Sequence, residues 1–519
     1  MPTIDTTPAD LQAKLDAAKP GDVLAMRSGE YPGEYTVCNP GLMLLPADGE
    51  LPVFVGPTKP DSGTKPAWLH IYPNAANTVL NGLTLARAGD ITKAKAYNDF
   101  GIIIEAPGVT VQDCSLSGMT KGIHVKGAKS THVTLRNNVI GPTYQSNIVV
   151  GTSYGVVRAL LIAYNLLERS YIEDAIQFMQ NYDLSDALKA SDVSNLGAII
   201  YQNTIRDCSE NAIDLKGAGL VVIDGNNITH IAGSNNGPLA GWNHSANQSI
   251  GKGARASSGY VLIRNNDLQD NCSGIRSQPE WKIIHNLIAN NNYSPAGMLW
   301  AGYGISNQNG GAGLSVVNNR VYGNLGGDLI NMPPAADVHG NRADAGPGEP
   351  VTGVVKTDGN LLTVKDAGFF TDWFGRTDLP PDVVYVQGDR YEVAAVDYKA
   401  NTLRLDRPVQ ATAGGDVCWQ SAKPMVGIVG VEAPPVDPPP VDPPVEGVET
   451  VHLTISAEMT ASDAASLRAL LNDRLYTVKM KYQPVILENM IDSKGNALTF
   501  DPDGATQLQP DFSPPREAK

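Results

Sequence analysis

Five short segments of this chain each place an ionisable or hydroxyl or amide side chain one step beyond an isoleucine: GIHVK (122–126), EDAIQF (173–178), ENAIDLK (210–216), CSGIRS (272–277) and YGISN (303–307). If each is a strand with its isoleucine inward, then His124, Gln177, Asp214, Arg276 and Ser306 face outward, and Lys126 and Lys216 leave on the same side. Glu173, Asp174 and Glu210 stand at the turns that enter the strands. Two chemistries would use such a set. β-Elimination in a uronic-acid polymer needs a base for the C5 proton and a cation for the carboxylate-derived enolate. Lys216 or Arg276 would be the base, with Asp174, Glu210 and Asp214 holding calcium. Hydrolysis of a glycosidic bond needs two carboxylates at a set separation, drawn from Glu173, Asp174, Glu210 and Asp214. A third reading makes Asp214 and Lys216 paired charges on a solvated face. The residues leave all three open.

Aromatic side chains gather near these segments. Tyr182, Trp242, His244, Tyr293, Trp300 and Tyr303 lie in or beside three long insertions, at 179–196, 231–257 and 290–303. Rings beside polar loops suit sugars, whose C–H faces pack on π surfaces while the hydroxyls take hydrogen bonds. Tyr182, Trp242, His244 and Trp300 therefore join His124 and Gln177 as candidate substrate-binding residues. The same rings could equally serve to pin the insertions down.

The elements that would position these groups come from an internal repeat. VTLRNNVI (133–140), LLIAYNLL (160–167), GAIIYQNTI (197–205), VVIDGNNI (221–228), VLIRNNDL (261–268), KIIHNLI (282–288) and LSVVNNRV (314–321) share an aliphatic strand, a polar step, an asparagine and a second aliphatic residue. Alignment stacks Asn138, Asn165, Asn203, Asn226, Asn266, Asn286, Asn319 and Asn341, roughly 20 to 40 residues apart, the period of a solenoid repeat. Windings on top of one another would bury the aliphatic residues together, with strands about 4.8 Å apart and turn asparagines linked in a ladder. The opening TTPADLQAKLDAAKPGD reads as an amphipathic capping helix with Leu11, Leu15 and Ala18 on one face, closed by Pro20-Gly21 and followed by a strand. With this helix-then-PGD opening, the chain resembles the pectate-lyase-like superfamily over about residues 5–345. The resemblance implies an all-β, right-handed single-stranded parallel β-helix.

The expected organisation is a capping helix with first strands (1–74), the β-helix (75–345), a small antiparallel β-barrel or sandwich (346–428), a proline-rich spacer (429–447) and a C-terminal α+β attachment or oligomerisation module (448–519). A net charge of −15 disfavours nucleic acid as a partner. Neither a leader nor a membrane-spanning apolar run is seen. The five cysteines lack metal-type spacing and read as mostly buried thiols.

The resemblance extends to phage tailspikes, implying a virion spike, homotrimeric, that binds and could cleave host-surface polysaccharide and meets other virion proteins through its C-terminal module. The alternatives are a secreted polysaccharide lyase or glycoside hydrolase, and a non-catalytic decoration spike.

Overall fold

The computed structural model describes residues 3–419 apart from 57–66, 128, 152–156, 180–194, 216–218, 233–249, 252–259, 293–301, 308–312, 344, 346 and 347. The expected spacer and α+β module lie outside the described residues, as do Lys216, Tyr182, Trp242, His244, Tyr293 and Trp300.

Each full winding contributes a strand to each of three parallel sheets of 13, 11 and 11 strands, called sheets 1, 2 and 3 in the order the chain visits them, and sheet 1 has one extra strand at each end. In sheet 3 the inward isoleucines stack as expected: Ile123, Ile148, Ile176 and Ile213 pair in register, as do Ile275 and Ile305, all fully buried. Between sheets 1 and 2 the asparagine column is complete. From Asn138 to Asn319, each Nδ2–H donates to Oδ1 of the next ladder asparagine at 2.8–3.0 Å, and Asn341 ends the run. The other amide hydrogen goes to a carbonyl of the preceding winding, as from Asn226 to Ile200 O at 2.9 Å. A buried amide with all its hydrogen bonds made is stabilising; with one removed it is costly.

The left-handed residue is the one before each ladder asparagine: Asn137, Tyr164, Gln202, Asn265, His285 and Asn318 have φ of 50–59°, with Gly225 and Gly340 at 70° and 66°. This explains the recurring Asn-Asn pairs, since asparagine tolerates that conformation better than most residues. A second, shorter ladder lies five residues further on, between sheets 2 and 3. Asn271 N–H donates to Asn291 Oδ1 (3.1 Å), and Asn291 Nδ2–H to Asn324 Oδ1 (2.9 Å).

The helix Leu11–Ala17 buries Leu11 and Leu15 over the first winding. The strand Thr3–Thr6 already pairs with Val23–Met26 in sheet 1, so the stacked windings begin well ahead of residue 75. Cys114, Cys208 and Cys272 are buried, with burial pushing each thiol up to about 12, and Cys38 and Cys418 are half-buried. All five are free.

Residues Pro350–Trp419 form a closed six-stranded antiparallel barrel. It packs on the outer face of sheet 1, where Leu161, Ala163, Ile199, Tyr201, Val222, Leu262, Ile284 and Val317 meet Phe369, Phe370, Trp373 and Trp419. At the centre of this contact Arg264 is buried. Its Nε and Nη1 donate to Asp224 (2.8 Å) and Asp382 (2.9 Å), and its guanidinium lies 4.3 Å from the Trp419 ring centroid.

Candidate functional site

The outer face of sheet 3 carries the expected polar column, with two interruptions. His124 pairs with Val149, Val149 with Gln177, Gln177 with Asp214 and Asp214 with Gly251; Arg276 then pairs with Ser306. Alternation along each strand makes these side chains point away from the isoleucine core. Gly251, without a side chain, leaves a gap in the column between Asp214 and Arg276.

Several expected site residues are engaged with the scaffold. His124 Nε2 lies 2.9 Å from the Gly151 carbonyl, and its ring stacks on Phe100 with centroids 5.2 Å apart. Gln177 Nε2–H donates to Asp174 Oδ2 at 3.0 Å. The other oxygen of Asp174 accepts from Asn211 Nδ2–H at 2.6 Å and from Asn211 N–H at 3.2 Å. Asp174 is fully buried, so its carboxylate ties one winding to the next. Glu173 accepts from Ser146 Oγ at 3.1 Å and faces Lys121 Nζ at 3.8 Å.

Glu210 is half-buried at the turn before Ile213–Asp214, and Asp214 is buried on that strand. The calcium site expected from Asp174, Glu210 and Asp214 is not assembled: among the described residues no group of three His, Cys, Asp or Glu side chains could hold a metal.

Arg276 is the focus of what remains. Burial lowers its pKa from the ordinary guanidinium value, while Tyr303 and Asp214 oppose that shift. Burial likewise pushes the Tyr303 phenol up. A protonated guanidinium has five donors and no acceptor, so in that form Arg276 suits anion binding. With Ser306 in register beside it and Tyr303 at the head of the same strand, it can meet a carboxylate and hydroxyl groups together.

Sequence reasoning missed a further set on the same sheet: His70, Tyr72, Glu105 and, in part, Lys126. His70 Nε2–H donates to Glu105 at 3.2 Å, and Lys126 Nζ donates to Glu105 at 2.8 Å. Their windings precede the asparagine repeat, so no aligned motif drew attention to them. A usable signal was the same Ile-centred alternation in WLHIY (68–72) and GIIIE (101–105).

Residues 182–343 match a family model described as right handed beta helix region. Solved structures similar to this chain include an alginate lyase from Paenibacillus sp. str. FPU-7, at 16% identity, covering 64% of this chain and 99% of that one with a TM-score of 0.41. A DFA-IIIase from Arthrobacter chlorophenolicus A6 without its lid is 15% identical, covering 63% and 86% with a TM-score of 0.40. The A-module of a mannuronan C-5 epimerase from Azotobacter vinelandii is 14% identical, covering 64% and 94% with a TM-score of 0.37. No curated protein matches. Three stacked parallel sheets, an inward isoleucine column and an asparagine ladder, together with the family-model match, make this solenoid a right-handed parallel β-helix, the fold of the pectate-lyase-like superfamily it resembles.

Proposed function

We propose that this protein binds an acidic, extended polysaccharide lengthwise along the outer face of sheet 3, with Arg276 taking a sugar carboxylate. The observation that carries this reading is the cluster of Arg276, Asp214 and Tyr303 on a face lined with polar side chains in register. Strands about 4.8 Å apart offer a polymer a repeated set of hydrogen-bonding rungs. The chain's net charge of −15 repels a polyanion at a distance, so recognition must be local, through Arg276, Lys121 and Lys126.

Titration calorimetry across polyuronates and neutral glucans is the test. Polyuronates bind, neutral polymers do not, and Arg276→Ala weakens binding by about tenfold or more, the usual cost of losing a charged hydrogen-bonding partner. Equal binding of both polymer classes, or an unchanged Arg276→Ala variant, would remove the reading.

A virion spike and a secreted enzyme would use the same face. The spike form adds a homotrimer and virion partners joined through residues 448–519. Sedimentation of the full chain tests it, a monomer at micromolar concentration counting against the trimer.

A further inference from the structure

A second set of ionisable side chains stands on sheet 3 in the early windings. The strands Ala67–Ile71, Phe100–Ile104 and Lys121–Val125 are neighbours in register. Glu105 N–H donates to Ile71 O and Lys126 N–H to Ile104 O, which continues the register past the strand ends and aligns Tyr72, Glu105 and Lys126. His70, two residues before Tyr72, shares its face. Glu105 accepts on both oxygens, from His70 Nε2–H at 3.2 Å and from Lys126 Nζ at 2.8 Å. The Tyr72 ring lies against the imidazole, with centroids 4.1 Å apart at 30°. These groups reach solvent: the side chains of His70, Glu105 and Lys126 are 22%, 20% and 38% exposed, and Tyr72 is 37% exposed.

A carboxylate can only accept, so His70 carries its proton on Nε2 and keeps the lone pair on Nδ1, as in a carboxylate–imidazole dyad. Burial holds His70 below the ordinary histidine range, with Glu105 opposing and Lys126 assisting, so the ring is neutral at pH 7. Burial pushes Glu105 upward, but Lys126 and His70 outweigh it and keep the carboxyl below its ordinary range, ionised. Across the sheet, His70 is flanked by the uncharged Thr36 and Ile103.

We propose that His70, Tyr72 and Lys126, with Glu105 as a positioning residue, are the catalytic centre of a β-elimination on a 4-linked uronate polymer. The proposal rests on the glycan reading above. It places the chemistry seven strand spacings from Arg276, about 34 Å along the face at 4.8 Å per strand. His70 Nδ1 takes the C5 proton. The C5–H electron pair becomes the second bond of C4=C5, the C4–O4 bond breaks with its pair going to O4, and O4 takes the phenolic proton of Tyr72. The proton on His70 returns to the Tyr72 phenolate through water once the products leave, so no oxidant or metal is consumed. Lys126 stands against the C6 carboxylate as charge builds there. Hydrolysis by paired carboxylates is disfavoured at this place, because Glu105 is the carboxylate of the set and both its oxygens are engaged.

The test is the ultraviolet absorbance of unsaturated uronides, run on the full chain beside calorimetric binding. Wild type turns over a polyuronate. His70→Gln and the conservative Tyr72→Phe each lower kcat roughly 100-fold or more, the scale of general acid–base catalysis, with polymer affinity and melting temperature unchanged. The acid limb of the pH–rate profile moves to lower pH in Glu105→Gln, which removes a group that raises the His70 pKa, and to higher pH in Lys126→Gln, which removes one that lowers it. Binding without turnover, or turnover surviving both His70→Gln and Tyr72→Phe, overturns the catalytic centre while leaving the glycan reading intact. Absence of binding to every polyuronate overturns both.

Discussion

The early and late windings of sheet 1 share a core but not an outer face. In Val79–Asn81, Thr110–Gln112 and Thr134–Arg136, mostly polar residues alternate with inward Leu80, Val111 and Leu135, and Gln112 bonds across windings to Asn81 (3.1 Å) and Arg136 (2.8 Å). In Leu161–Ala163, Ala198–Tyr201, Val221–Asp224 and Val261–Arg264 every residue is buried, because the barrel covers the outer side. Loss of alternation is how a docked module is written into a strand. Arg376 marks the border, donating to Thr134 Oγ1 at 2.7 Å and to the Ala159 carbonyl at 3.0 Å.

The sharpest break in this contrast is Arg264→Ala. It strands Asp224 and Asp382 without their cation beneath the barrel, and chemical denaturation should show a loss of about 3–5 kcal/mol. Asn226→Ala severs the ladder in the covered windings and leaves the amide groups of Asn203 and Asn266 short of a partner, at about 3 kcal/mol by the same measurement.

His285 comes next. It is buried with neither ring nitrogen hydrogen-bonded and lies 5.6 Å from the Trp419 ring. Burial lowers it to about 4, with Glu349 opposing and Arg264 assisting. The unfolded chain, near 6.5, therefore binds more protons between those values, so stability is fully present above about pH 6.5 and falls as the pH drops toward 4, by on the order of 2–3 kcal/mol. His285→Phe should flatten that part of the pH–stability curve. The smallest effect belongs to the uncovered windings: Gln112→Ala should stay within about 0.5 kcal/mol in a thermal melt. A large loss there would erase the distinction.

Much of the fold was legible because its signal repeats. Asn138 through Asn341 recur at one offset from an aliphatic strand, and each repetition tests the same hypothesis again. The Asn271, Asn291 and Asn324 ladder was just as visible, five residues after Asn266, Asn286 and Asn319, but it runs over few windings and was passed over. The first windings were less legible, because those ahead of the asparagine column lack its marker. The candidate site was legible only as a face. That His124, Gln177, Asp214, Arg276 and Ser306 point outward followed from alternation; that Asp174 would be consumed by Asn211 and Gln177 did not.

The sequence by itself determined the winding, since burying isoleucine beside isoleucine and bonding asparagine to asparagine are one-dimensional constraints repeated along the chain. Tertiary structure alone decided which charges meet. Arg264 finds Asp382 across 118 positions and His70 finds Glu105 across 35, and contacts between windings or between barrel and solenoid leave no periodic trace. A local pattern fixes which way a side chain points, but the partner that fixes its chemistry arrives from a distant part of the chain.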